Sequence, residues 1–259
     1  MKIFITGIAS GIGKATALNL HADKHEVKGM DIDKEGLESL PNDIETYHGD
    51  VYDEDRVEYI LDREEFDVLI NSAAYYELGS LEDMPSDTVE SIFKPNVFGT
   101  LNLVRHSLPM LRERNGRIVN MSSVAGKVSM PYYGVYSATK HSIEALSDSL
   151  RMEVENKGVE VVIVEPGAFK TGFNQTAREA LIKYVPDSIY AEDYEKIMQN
   201  SVLQGENPQK AAETVVKAAT DQSPKTRYRV GRGSSLFPKM KAVVPDKLYD
   251  RIVLSNFRD

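Results

Sequence analysis

The sequence predicts an α/β protein: a doubly wound parallel sheet of about seven strands flanked by helices, in a single domain. Three observations carry this. Apolar runs of four to six residues alternate with longer segments of helical period. Ile3-Phe4-Ile5 and Val161-Val162-Ile163-Val164 are apolar at every position, as in strands covered by helices on both faces. A glycine-rich turn, Thr6–Gly13, joins the first such run to the first helical segment.

The strands expected in order are Lys2–Thr6, Glu26–Asp31, Ile44–His48, Val68–Asn71, Arg117–Met121, Glu160–Val164 and Arg227–Val230. The helices between them are Lys14–Ala22, Asp53–Arg63, Ser86–Arg114 and Tyr132–Asn156, with Pro95 kinking or interrupting the third. Residues 1–165 read as a dinucleotide-binding and catalytic core, 172–205 as a helical lid over the substrate and 225–259 as a basic C-terminal segment. Strand–helix alternation implies right-handed crossovers, which place ligands beyond the carboxyl ends of the strands.

The 259 residues carry 31 Lys and Arg against 40 Asp and Glu, a formal charge of −9. Nucleic-acid affinity rests largely on neutralising phosphates, so no nucleic-acid partner is expected. There are no cysteines, which excludes disulfides, thiolate nucleophiles and Cys-based zinc sites; no metal is expected. No uninterrupted apolar stretch is long enough for a transmembrane helix, and the apolar start at Ile3-Phe4-Ile5 is too short for a secretory signal. The expected location is the cytoplasm. Residues 31–67 are acidic, and the stretch after Lys225 is basic through Arg227, Arg229, Arg232, Lys239 and Lys241. Both read first as solvated faces, and less readily as a basic tail touching a membrane surface.

Thr6-Gly7-Ile8-Ala9-Ser10-Gly11-Ile12-Gly13 ends a strand and opens a helix. Glycines allow a tight turn and close approach to a pyrophosphate, and the helix start offers free N–H groups. Gly7, Ser10, Gly11, Ile12 and Gly13 are therefore candidate dinucleotide contacts. Asp31 stands at the end of the second strand, 24 residues after Gly7. Its carboxylate can accept from both adenosine ribose hydroxyls and repels a 2′-phosphate. At about 4 Å and an effective dielectric near 20, each like charge costs roughly 4 kcal/mol before screening. With no Arg or Lys at Ala9, at Ser10 or directly after Asp31, NAD(H) is expected over NADP(H).

Tyr136 and Lys140 stand at i and i+4 in a helical segment and so share one face. Ser123 ends the strand-like run Arg117–Ser123, 13 residues earlier. Removing a hydroxyl proton while hydride leaves needs a base, and a tyrosine near pKa 10 is a poor one at neutral pH. Burial alone makes it poorer, so a nearby cation has to win. Bringing it to about pH 7 takes roughly 3 units, about 4 kcal/mol, which a close ammonium can supply.

With these residues in place, the chain resembles the short-chain dehydrogenase/reductase family, closely from Met1 to about Thr171 and loosely beyond. The matching residues are the Thr6–Gly13 turn, Asp50-Val51, Asn71-Ser72-Ala73-Ala74, Asn96, Ser123, Tyr136, Lys140 and Pro166-Gly167 with Thr171. The resemblance implies a Rossmann-type fold and a Ser123–Tyr136–Lys140 triad with Asn96 as a fourth catalytic member. Tyr136 is then the general acid/base. Lys140 holds the nicotinamide ribose, and Ser123 holds the substrate oxygen. Asn96 holds a water linking Lys140 to solvent. Asp50 contacts the adenine and Val51 lines its pocket. Asn71, Ala73, Pro166 and Gly167 contact the cofactor, and Thr171 holds its carboxamide or phosphate. The family usually has Asn-Asn-Ala-Gly where this chain has Asn71-Ser72-Ala73-Ala74, so Ala74 adds a methyl near the cofactor.

The implied activity is NAD(H)-dependent interconversion of an alcohol with a ketone or aldehyde, on a small-molecule substrate. The lid residues Phe173, Leu181, Ile182, Tyr184, Val185, Ile189, Tyr190, Tyr194, Ile197 and Met198 favour an apolar one, though packing alone also accounts for many of them. The long lid and basic tail are loosely similar to the hydroxysteroid and retinol dehydrogenase branch. A homodimer or homotetramer through the two long helices is implied by analogy. The alternatives are a catalytically silent NAD sensor and, less readily, a sugar-nucleotide epimerase or dehydratase.

Overall fold

Alternate residues of the first strand face opposite ways, and both faces are apolar, so the chain has to cover both. The computed structural model, which describes residues 1–169, 172–199 and 205–258, shows how. Seven strands form one parallel sheet: β1 (Lys2–Thr6), β2 (Glu26–Asp31), β3 (Glu45–His48), β4 (Val68–Asn71), β5 (Arg117–Met121), β6 (Glu160–Pro166) and β7 (Arg227–Val230). Their spatial order is β3-β2-β1-β4-β5-β6-β7, every pairing parallel. The order reverses between β1 and β4, and ligands of such sheets bind at that switch.

On one face Ile3, Ile5, Val27, Ile70, Val119 and Val162 pack with α1 (Gly11–Ala22) and α9 (Pro208–Thr220). The small residues Ala211, Ala212, Ala218 and Ala219 let α9 lie close against its neighbours. On the other face Phe4, Leu69, Ile118 and Val161 pack with α3 (Glu54–Leu61), α5 (Thr100–Arg114) and α6 (Gly134–Glu153). Full burial of Ile3, Phe4 and Ile5 is why that strand shows no polar alternation.

Helix ends follow local chemistry. Asp33 caps α2 (Lys34–Glu38) by accepting from the Gly36 N–H, Asp53 caps α3, and Asn207 caps α9. Asn115, at φ +49°, closes α5 in the left-handed conformation. The helix expected over Ser86–Arg114 is three pieces. α4 (Ser86–Phe93) passes into a π-helical stretch at Lys94–Gly99 containing Pro95, then into α5. Pro95 has no N–H to donate, and the wider turn absorbs the missing bond. β6 runs two residues further than expected, to Pro166.

The lid segment contains α7 (Gly172–Tyr184) and α8 (Ala191–Gln199); residues 200–204 of the expected lid lie outside the described residues. The chain ends in α10 (Leu236–Val243) and α11 (Asp246–Arg258), which pack on Val128 through Phe237, Tyr249 and Val253. The basic stretch after Lys225 is not simply a solvated face. Arg227 and Arg229 pair with Glu165, which is fully buried, because β7 brings them beside β6. Among the described residues, no helix is long and apolar enough to cross a membrane.

Candidate active site

A cleft of about 830 Å³ opens along the carboxyl ends of the strands, from the glycine turn to α6. Ligand pockets are usually of roughly this size. It is lined at one end by Gly7, Ser10, Gly11, Ile12, Gly13, Asp31, Asp50 and Val51, and at the other by Ser123, Tyr136, Lys140, Pro166 and Gly167. Sequence-distant candidates thus share one cavity because each follows a strand.

The glycine turn is compact for steric reasons. Gly7 sits at φ +71°, and a Cβ there would lie 2.8 Å from the Ala73 backbone. A Cβ on Gly13 would lie 2.1 Å from the Gly7 carbonyl oxygen. The Thr6 hydroxyl oxygen accepts from the Ser72 and Ala73 N–H groups, both at 3.2 Å, tying the turn to the end of β4. Ser10 precedes α1 with its side chain not capping it, and Ser10, Gly11, Ile12 and Gly13 line the cleft.

Asp31 is held by two backbone donors. Oδ2 accepts from Ala9 N–H and Oδ1 from Asp33 N–H, both at 2.9 Å. The carboxylate is therefore fixed between the glycine turn and the end of β2. Lys28 turns away, pairing with Glu45 and Glu64 at 2.8 Å, and neither it nor Lys34 lines the cleft. Asp50 accepts from Tyr52 N–H at 2.9 Å. Val51 is buried against Gly99, where a Cβ would come within 2.5 Å of it. These residues fit an adenosine ribose and base: an anchored acceptor, a polar turn and an apolar wall.

Two candidates have their side chains committed elsewhere. Asn71 is buried and its Nδ2 donates to Asn120 Oδ1 at 2.8 Å, so its amide lies beneath the cleft, while Ala73 and Ala74 line the cleft itself. Asn96 spends its amide on a clamp. Nδ2 donates to Tyr75 O (2.8 Å) and Thr139 Oγ1 (3.1 Å), and Oδ1 accepts from Tyr75 N–H (2.7 Å). The Asn96 carbonyl accepts from the Thr100 hydroxyl at 3.0 Å. Asn96 thus ties the Tyr75 loop to α6. Thr171 lies outside the described residues.

Ser123, Tyr136 and Lys140 come together where β5 and α6 meet. Ser123 follows β5 in extended conformation, with Oγ accepting from Ala125 N–H at 3.1 Å and donating to Pro166 O at 3.4 Å. Tyr136, in the first turn of α6, is half-buried on the cleft wall, its ring edge-on to Tyr76 with the ring centres 4.8 Å apart. Burial pushes its hydroxyl up to about 12, against the hydrogen bond with Ser123. Lys140 is buried and donates to Met121 O at 2.8 Å. Burial brings its amine down to about 8, while the Glu144 carboxylate acts the other way. Gly167 donates to Val230 O at 2.8 Å, and a Cβ there would lie 2.2 Å from Arg232 O.

Sequence reasoning missed much of the end of the cleft beside Tyr136. Its walls are Tyr75, Tyr76, Met130, Tyr133 and Phe169, with Thr176 from α7. The available signal was the tyrosine pair directly after Ala74 and the Tyr132-Tyr133 pair just before Tyr136. The lid hydrophobes mostly pack. Leu181, Tyr194 and Ile197 are buried in one cluster with Leu78 and Tyr76, whereas Ile182 and Ile189 are exposed. The Phe173 side chain lies outside the described residues.

The comparisons agree with this arrangement. The family model described as short chain dehydrogenase matches residues 1–182. The chain is 33% identical to a probable short-chain type dehydrogenase/reductase, VdlC, of Helicobacter pylori, over 98% of each chain. It is 32% identical to the 3-ketodihydrosphingosine reductase of Bacteroides thetaiotaomicron, over 95% of this chain and 94% of that one. A short-chain dehydrogenase structure from Streptomyces avermitilis superposes with a TM-score of 0.77 at 29% identity, covering 99% of this chain and 96% of that one. With a seven-stranded parallel sheet and Ser123, Tyr136 and Lys140 in one cleft, the chain belongs to the short-chain dehydrogenase/reductase family and is an oxidoreductase.

Proposed function

We propose that the protein interconverts an alcohol with a ketone or aldehyde on an apolar small molecule, using NAD(H) in preference to NADP(H), with Tyr136 as general acid/base. The observation that carries this is the single cleft with Asp31 pinned at one end and Tyr136, Ser123 and Lys140 at the other. A bound nicotinamide dinucleotide supplies the hydride acceptor or donor. The chain's own residues supply position and protons. Ser123 orients the reacting oxygen, and the Tyr136 hydroxyl exchanges the proton with it. The Lys140 ammonium stabilises negative charge developing on the Tyr136 oxygen.

With Tyr136 at about 12, its hydroxyl is protonated and ready to donate to a carbonyl oxygen. Tyr75, Tyr76, Tyr133, Met130 and Phe169 offer aromatic and apolar contact, and Lys94 and Lys140 are the only cations among the described cleft residues. That lining suits a neutral, apolar ketone, and a relative named 3-ketodihydrosphingosine reductase points the same way.

The test is turnover of purified protein with NADH and NADPH against ketones running from small polyol-derived compounds to long-chain and steroid ketones. Tyr136→Phe is the control. NADH-driven reduction of apolar ketones, lost by about 10²-fold or more in the variant, is expected. Undiminished turnover in Tyr136→Phe, or a clear preference for charged sugars, sinks the proposal.

A further inference from the structure

Behind Lys140, on the side away from the cleft, lies a buried ionic cluster that the reaction does not use. Glu144 stands one helical turn after Lys140 on α6 and is 4% exposed. Its Oε2 receives Lys127 Nζ at 2.7 Å and Arg227 Nη2 at 3.1 Å. Its Oε1 is buried with no hydrogen-bond partner. Arg227 also reaches Asp148 at 2.6 Å and Glu165 at 3.2 Å, and Arg229 holds Glu165 at 2.6 Å. Arg151 caps the outer edge by pairing with Asp148.

The cluster joins the pieces that carry the chemistry. Lys127 follows the short helical turn after Ser123, Glu144 shares α6 with Tyr136 and Lys140, and Glu165 directly precedes Pro166. Gly126 makes the close approach possible. A Cβ there would lie 2.8 Å from the Lys140 carbonyl oxygen and 3.1 Å from Glu144 Cγ. Other charged groups on the elements against α6 are engaged elsewhere. Lys94 pairs with Glu90 near the surface, and Arg117, at the opposite end of β5, holds Glu160.

We propose that Glu144 is a positioning residue that acts through Lys140: its buried carboxylate is the fixed counter-charge that keeps the Lys140 amine protonated at working pH. A buried ammonium with one carbonyl acceptor is poorly compensated. An unpaired carboxylate oxygen one turn away offsets this without touching the reacting atoms. Glu144 is also the charge that raises Lys140 against the effect of burial. The inference rests on reading Tyr136 and Lys140 as the reactive pair.

The test separates field from scaffold. The titration of Lys140 is followed by NMR in full-length protein labelled with 13C at lysine Cε, its signal assigned by its absence in Lys140→Arg. Glu144→Gln should lower the titration midpoint by about two pH units, the size expected for a unit charge about 6 Å away at an effective dielectric near 20. Asp148→Asn breaks the neighbouring pair with Arg227 and should leave the midpoint in place while lowering Tm. If Glu144→Gln does not fold, Lys127→Met unshields Glu144 and should raise the midpoint. A midpoint unmoved by Glu144→Gln or, in its place, Lys127→Met, or moved equally by Asp148→Asn, overturns the proposal. The readout needs no turnover. A shifted midpoint in an inactive protein leaves the inference standing and the reaction wrong; Tyr136-dependent turnover with an unmoved midpoint does the reverse.

Discussion

Tyr136 and Lys140 stand one turn apart on α6, the Lys140 Nζ 5.8 Å from the centre of the Tyr136 ring, and burial drives their proton affinities in opposite directions. The tyrosine rises from 10.0 to about 12 and the lysine falls from 10.5 to about 8. Each group is pushed toward its neutral form by loss of water.

This has a consequence for stability against pH. Below about pH 8 Lys140 is charged in both folded and unfolded chains, and the folded state bears the full cost of the buried charge. Between about 8 and 10.5 the unfolded chain binds the extra proton, so this group's contribution to stability rises with pH. Tyr136 acts oppositely between 10.0 and about 12, where the folded state keeps the proton and stability falls. Lys140→Met should therefore be more stable than the parent at pH 7, with the gain shrinking toward pH 10. Urea unfolding at the two pH values checks this, and a gain that grows with pH refutes it.

On the proposed function, Asp31 sets the adenosine end. Its carboxylate is fixed by the Ala9 and Asp33 N–H groups and cannot swing away from an added phosphate. Asp31→Ala should tighten NADPH binding by about tenfold or more while weakening NADH binding, since it removes the repulsion and the ribose acceptor together. Calorimetric titration with both cofactors measures the two changes. Tighter NADPH than NADH binding in the parent, with no gain in the variant, would contradict this account.

Gly7 carries a double constraint, a φ of +71° and backbone 2.8 Å from any Cβ. Gly7→Ala should cost about 2–4 kcal/mol of folding stability, from left-handed strain plus overpacking. Denaturant midpoints give the cost directly. A loss under about 0.5 kcal/mol would mean that the turn relaxes freely.

Asn96 is 1% exposed and its side chain makes three hydrogen bonds, two of them to Tyr75. Asn96→Ala strands buried polar groups and should cost roughly 2–4 kcal/mol. Because Tyr75 lines the cleft, ketone KM should rise as well. Full stability with lost turnover would point instead to a proton-relay role alone.

Much of this was legible in order along the chain. The periodicity of Ile3-Phe4-Ile5 and of Val161–Val164 announced buried parallel strands, since only a strand covered on both faces is apolar at every position. The turn Thr6–Gly13, the carboxylate at the end of β2 and the i, i+4 pair on α6 are local patterns, and local patterns survive in sequence. The π-helical stretch was half legible: Pro95 marked the interruption but not the wider turn that absorbs it. The C-terminal helices were read only as a basic segment, because their apolar residues pair with Val128, far away in the chain.

By itself, then, the sequence determined a doubly wound sheet, a glycine turn after β1 and the placing of Tyr136 and Lys140 on one helix face, because each depends on short-range spacing or on the strand period. The tertiary structure alone decided what depends on contacts between distant segments. It set the commitment of Asn71 and Asn96 to protein partners, the tyrosine walls of the cleft and the opposed proton affinities of Tyr136 and Lys140. It also gathered Lys127, Glu144, Glu165 and Arg227 behind Lys140. Burial and charge compensation are properties of neighbours in space, and no run of residues along the chain encodes them locally.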